Sequence, residues 1–334
     1  MKFLTQHEKQ TLVFLTTAAL ATTVISIYFA LNTRQENEQV LFRKIHIIHT
    51  GGEINSDFKE MYDSNQGMYD IDYYQPLIKS SDISPKDWNV IASDIGKKYN
   101  NYDAFVIVCG KDTLAYTASA LSFMIENLSK PIILSDGDVE AALKLASKTK
   151  IPEVMIASGK NLLRGCRAVH KSSDYFTSPN YPPLNLQNSL ALPKEPPQIK
   201  FVSPNISVSV IKVFPGMSDA PLLNLLDNEN TQGVVLEMYG DGRGPTTKDF
   251  LNAIRKLNQK GVVILAVSQC DEISEFKLDN SLLKAGVLSG NDMTTPAAYA
   301  KLCFLLSNVE DKTLIERLME KTFRGEMSIN YLTI

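Results

Sequence analysis

Ile45-His46-Ile47-Ile48-His49-Thr50-Gly51-Gly52-Glu53-Ile54 and Phe105-Val106-Ile107-Val108-Cys109-Gly110-Lys111-Asp112-Thr113 are the two stretches whose shared pattern decides the fold. Each is a short apolar run that breaks into a polar loop containing glycine. Such runs read as strand ends, and loops at the ends of parallel strands are the usual address of binding and catalytic groups in open α/β sheets. Between and beyond them, strand and helix signals alternate. Ser84-Pro85-Lys86-Asp87-Trp88 predicts a helix start with Ser84 as N-cap and Pro85 at the first helical position, and Val90, Ile91 and Ile95 as its apolar face. A helix from Leu114 to Asn127, a strand at Lys130–Leu134, a helix at Val139–Lys148 and a strand at Val154–Ala157 follow. That alternation implies βαβ units and a mainly parallel sheet.

Seven of the fifteen prolines lie between Pro179 and Pro204, so residues 179–204 read as an extended linker. It separates a first α/β domain at residues 44–178 from a smaller one at residues 205–334, whose strands are expected at Ile206–Val213, Val234–Leu236 and Val262–Val267 and one of whose helices is expected at Asp249–Gln259. A net charge of −3 on 334 residues, with no basic stretch interleaved with aromatics, argues against nucleic acid. Cys109, Cys166, Cys270 and Cys303 are far apart in apolar surroundings and read as buried free thiols. No Cys-x-x-Cys occurs, and His46 and His49 have no partner at ligand spacing, so neither a metal nor another cofactor is expected. The glycines from Gly240 to Gly244 read as a turn, because they lack dinucleotide-fingerprint spacing.

Residues 11–31 contain no charged side chain. As a helix they would span roughly 32 Å at ~1.5 Å per residue, which matches a hydrocarbon core of about 30 Å. The expectation is a short flank at residues 1–10, one transmembrane helix at 11–31 and a linker at 32–43. Lys2 and Lys9 ahead of the run make a cleaved signal peptide the rival, and a buried core helix is the third reading. With Lys2 and Lys9 on the short side, a single-pass membrane protein is expected, its large domain on the non-cytoplasmic side.

With Leu114-Ala115-Tyr116-Thr117-Ala118-Ser119-Ala120-Leu121, the two loops resemble the type I L-asparaginase family, which carries Thr-Gly-Gly-Thr-Ile and His-Gly-Thr-Asp-Thr at these places. Pro76 to Asp82, Tyr239 to Pro245, Ser268-Gln269-Cys270 and Ala285 to Thr294 resemble further family segments in the same order, so the resemblance runs from about Lys44 to Met327. It implies a two-domain α/β fold with parallel sheets flanked by helices, an amidohydrolase activity releasing ammonia from asparagine or glutamine, and a homo-oligomer.

Carried over residue by residue, the resemblance puts Glu53 and Lys111 where the family's two reactive threonines stand. Asp112 keeps the family aspartate, Thr50, Gly51 and Gly52 keep the first loop, Ser80 and Ser81 lie in the substrate segment, and Tyr62 lies near the mobile-loop tyrosine. The family lysine falls on His170 by gap-free spacing and on Lys171 one residue later. Loops after Leu134 and before Ala285 are shorter than the family's. Without the hydroxyl nucleophile that such hydrolysis needs, the expectation is a catalytically impaired protein in which Glu53 and Lys111 form an ion pair; a new catalytic acid–base pair and two solvated loop residues are the other readings of the pair. Two alternatives stay open. One is an active amidohydrolase with a rebuilt site, and the other is a regulatory pseudoenzyme that binds an asparagine-like amino acid.

Overall fold

The computed structural model of the chain describes residues 43–52, 58, 69–172, 175–228 and 230–328. β1 (Ile45–His49) is followed by β2 (Tyr69–Tyr73), α1 (Pro85–Lys98), β3 (Ala104–Val108), α2 (Leu114–Met124), the two-residue β4 (Ile125–Glu126), β5 (Ile132–Ser135), α3 (Val139–Lys148), β6 (Val154–Ser158) and β7 (Asn161–Arg164). These form a six-stranded sheet in the order β2-β1-β3-β5-β6-β7, with every pair parallel except β6 and β7. β1, β3 and β5 are buried at every position. A strand inside a parallel sheet is covered on both faces, which is why these sequences are continuous apolar runs rather than alternating ones.

β8 (Val169–Ser172) and β9 (Tyr175–Thr177) make an antiparallel ribbon, and β10 (Gln198–Ile199) pairs antiparallel with β4. The remaining elements are β11 (Val208–Lys212), α4 (Ala220–Asp227), β12 (Gly233–Met238), α5 (Lys248–Gln259), β13 (Val263–Ser268), α6 (Asn280–Ala285), β14 (Val287–Ser289), α7 (Thr295–Asn308) and α8 (Lys312–Met319). Their four strands form a second parallel sheet in chain order. α7 packs on α2, with the Phe123 and Phe304 rings stacked at 6.3 Å. One apolar core thereby joins α2 and α7 to Val235, Val263, Leu265 and Val267 of the second sheet.

The expected α/β architecture of parallel sheets and flanking helices is the one observed, with local corrections. Ser84 caps α1 through Asp87, whose Oδ2 accepts from the Ser84 N–H at 2.8 Å and from its hydroxyl at 2.6 Å. The buried face of that helix is Trp88, Ile91, Ala92 and Ile95, while Val90 is exposed. α2 stops at Met124 rather than Asn127, because Ile125 and Glu126 pair with β10 and Asn127 turns into the left-handed region at φ 56°. Cys109, Cys166 and Cys303 are buried as expected, but Cys270 is exposed.

The transmembrane expectation is corrected. Among the described residues no helix is long and apolar enough to cross a membrane, and residues 11–31 lie outside them. The longest described helices, α1 and α7, have 14 residues each, about 21 Å at ~1.5 Å per residue, against a hydrocarbon core of about 30 Å. The single-pass localisation with a non-cytoplasmic domain rested on that helix and is corrected with it.

Candidate active site

β1 and β3 pair in step, with His49 opposite Val108, so their exit loops emerge side by side. The Thr50 N–H and hydroxyl both donate to the Val108 carbonyl, at 2.9 and 3.1 Å. The segment after β2 closes over the first loop, where the Ile78 N–H donates to the Thr50 carbonyl at 2.7 Å. Two glycines are required by these approaches. A Cβ on Gly51 would lie 2.1 Å from the Ile78 carbonyl oxygen, and one on Gly110 would lie 2.6 Å from the Ser80 Cβ. Ser80 ties the third loop to the second, because its hydroxyl donates to the Gly110 carbonyl at 2.9 Å and accepts from the Thr113 N–H at 3.1 Å. The Thr113 hydroxyl donates back to the Ser80 carbonyl at 2.8 Å.

Lys111 and Asp112 sit on the single 3-10 turn Lys111–Thr113 that leads into α2, and both are exposed. Asp112 lines a cavity of about 230 Å³ with Tyr116, His170, Glu237, Ser268 and Cys270. His170, on β8, stacks on Phe176 at 4.8 Å. Lys171, the next residue, is not itself in that lining but lies 2.6 Å from Asp271, which is, as a half-exposed ion pair, and the bond to that carboxylate raises its pKa. Gly52 is exposed at the loop tip with φ 84°, Thr50 is buried, and the exposed Ser81 hydroxyl donates to Asp82 at 3.1 Å. Glu53 and Tyr62, and with Glu53 the expected ion pair to Lys111, lie outside the described residues.

The sequence reading did not single out Tyr116, Glu237 or Thr295 as site residues. The Thr295 hydroxyl donates to Glu237 Oε1 at 2.7 Å, which places that carboxylate in the cavity wall. A signal was available, since Glu237 is the one charged residue in the apolar strand Gly233–Met238. Among the described residues, no group of three or more His, Cys, Asp or Glu side chains could hold a metal ion.

Cys109 stands at the mouth of the second loop but offers no nucleophile. Burial, with a contribution from Asp136, pushes its thiol up to about 12, and burial pushes Cys166 and Cys303 to about 12 as well. Since the thiolate is the reactive form, the native chain should label rapidly at Cys270 alone. Cys109, Cys166 and Cys303 should react only on unfolding. Peptide mapping after alkylation at neutral pH checks this, and early modification of Cys109 would show a looser site than the one described.

Comparison with known proteins agrees with this architecture. Residues 44–197 match the family model "Asparaginase, N-terminal", and residues 207–319 match "Glutaminase/Asparaginase C-terminal domain". The chain is 36% identical to L-asparaginase 1 of Escherichia coli strain K12 over 290 residues, which covers 78% of this chain and 85% of that protein. It is 33% identical to the 60 kDa lysophospholipase of Mus musculus over 287 residues, covering 76% of this chain and 50% of that protein. The crystal structure of L-asparaginase I from Vibrio cholerae superposes with a TM-score of 0.78 at 32% identity, over 86% of this chain and 99% of that one. Motif order, sheet topology and these matches agree, and the chain belongs to the asparaginase family.

Proposed function

We propose that this asparaginase-family protein keeps a pocket for a small asparagine-like amino acid but hydrolyses amides poorly or not at all, because Glu53 and Lys111 stand in place of the family's reactive threonines. The observation that carries this reading is how the remaining hydroxyls of the loops are used. Thr50 is buried and bonded to the Val108 carbonyl, Ser80 to the Gly110 carbonyl, and Thr113 to the Ser80 carbonyl. A hydroxyl nucleophile needs a general base beside it, and these three donate to backbone oxygens instead. Lys171 is paired with Asp271, which lines the same cavity as Asp112. Gly52, Ser81 and Asp112 at the exposed rim are the groups left to meet a ligand, and self-association of the chain belongs to the same proposal.

The test is ammonia release by the full-length chain with asparagine and with glutamine, beside the Glu53→Thr, Lys111→Thr double variant. The unmodified chain should stay at background while the double variant gains turnover. Turnover of about 1 per second or faster, an ordinary enzyme rate, that Glu53→Gln abolishes would replace this reading with a rebuilt active site using a carboxylate nucleophile or base.

A further inference from the structure

The described chain holds a second cluster of titratable side chains, set apart from the Asp112 cavity, where β1, β2 and α1 meet. His46 on β1 is 1% exposed. Its ring is enclosed by Tyr102, centroids 4.6 Å apart, and Phe105, at 6.2 Å. Its Nε2 lies 3.1 Å from the Lys98 ammonium at the end of α1 and 3.4 Å from Asp72 Oδ2 on β2. An ammonium can only donate, so in this arrangement Nε2 accepts and the ring proton sits on Nδ1, which is buried without a partner among the described residues.

The surrounding charges form a chain of contacts. Lys98 also pairs with Asp72. Asp70, two positions before Asp72 on β2 and so on the same face, takes the Lys44 ammonium at 3.1 Å and the Tyr102 hydroxyl at 2.7 Å. Further along α1, Asp94 accepts from the Tyr74 hydroxyl at 2.8 Å and pairs with Lys97 at 3.0 Å. Asp72 to Lys98 and Tyr74 to Asp94 are thus two side-chain ties between α1 and the strand that delivers Ser80 to the candidate site.

We propose that His46 is a proton-operated latch on that connection. With the ring neutral, Nε2 accepts from Lys98 and leaves Asp72 to hold Lys98. A proton added to Nε2 turns it into a donor that competes for Asp72 and sets a second cation 3.1 Å from the ammonium, so one of the two must leave. The α1–β2 tie then loosens, and with it the segment from Tyr69 to Ser80. Burial first, and the Lys98 charge second, hold the His46 pKa below its ordinary value. An opened state, with the ring in water near 6.5, binds more protons than the closed one. Closure is therefore complete above about pH 6.5 and is lost as pH falls from there toward the lowered value, by up to about tenfold per pH unit.

The experiment is hydrogen exchange by mass spectrometry on the full-length chain between pH 7.5 and 5.5, corrected for the chemical pH dependence of exchange. Peptides covering residues 69–80 are compared with peptides covering β13. Opening of 69–80 should rise several-fold across this range while β13 stays level. His46→Gln should remove the rise, and Lys98→Met, which deletes the competing cation, should shrink it. A wild-type response that is flat, or one that persists unchanged in His46→Gln, overturns the proposal. Should His46→Gln fail to fold, an unchanged response in Lys98→Met overturns it alone.

Discussion

Glu326→Gln is expected to destabilise the chain by about 3–5 kcal/mol, the usual cost of leaving one member of a buried ion pair without its partner. Lys301 on α7 and Glu326 are both fully buried and lie 2.7 Å apart. The ammonium also donates to the carbonyls of Met319, at 3.0 Å, and Lys321. The other carboxylate oxygen accepts from the Thr322 hydroxyl at 3.0 Å and from the N–H groups of Phe323 and Arg324 at 3.2 and 2.8 Å. Burial alone would raise the Glu326 pKa, but Lys301 and the backbone donors outweigh it and hold the carboxylate low. That sign fixes the pH dependence. The stabilisation is present above the unfolded glutamate value, about 4.3, and is lost as pH falls through the lower folded value. Urea denaturation followed by circular dichroism at pH 7 checks the magnitude. Adding Lys301→Met to Glu326→Gln should restore a large part of the loss, because an apolar replacement removes the orphaned charge. A single-variant loss below about 1 kcal/mol, the range of surface pairs, would show that water reaches the pair.

Gly51→Ala should disrupt the candidate site more than any other one-methyl change in these loops. Its Cβ would stand 2.1 Å from the Ile78 carbonyl oxygen and 3.2 Å from that carbonyl's carbon, and the neighbouring Ile78 N–H is bonded to Thr50. A backbone carbonyl next to that anchored N–H cannot swing aside as a flexible side chain would, so the chain between Gln75 and Ser80 has to move. Overpacking of this kind costs roughly 1–3 kcal/mol and sometimes more, and here the upper end is expected. Denaturation and the exchange of peptides covering 74–80 measure it. A stability change under about 0.5 kcal/mol, typical of surface substitutions, would show that the two loops do not touch as described.

Much of the fold was legible because its signals are local. Ile45–Ile48 and Phe105–Val108 announce strands buried on both faces by composition alone, and Ser84-Pro85 announces a helix start by cap chemistry. The membrane reading of residues 11–31 used a local signal too, an uncharged run of sufficient length, but the described helices carry nothing comparable. Their apolar residues lie on inward faces of short elements, as Trp88, Ile91 and Ile95 do on α1. The site was legible only as a set of loops. Lys171 and His170 are adjacent in the chain, yet His170 lines the cavity with Asp112 while Lys171 reaches it only through Asp271 in its wall. The β8–β9 register shifts between His170 and Ser172, so the sequence spacing does not fix which of the two side chains enters the pocket.

The amino-acid order by itself determined the alternation of strands and helices, the parallel sheets that follow from it, and the two glycine loops at the ends of β1 and β3. Each of these depends on periodicity and propensity within a few residues. Tertiary structure alone decided that Thr50 is sealed against Val108, that Glu237 reaches the cavity of Asp112, that His46 meets Lys98, and that Lys301 is neutralised by Glu326. Burial and charge pairing are set by which distant segments come together when the sheets close, and no local pattern encodes the distance between two side chains from separate elements.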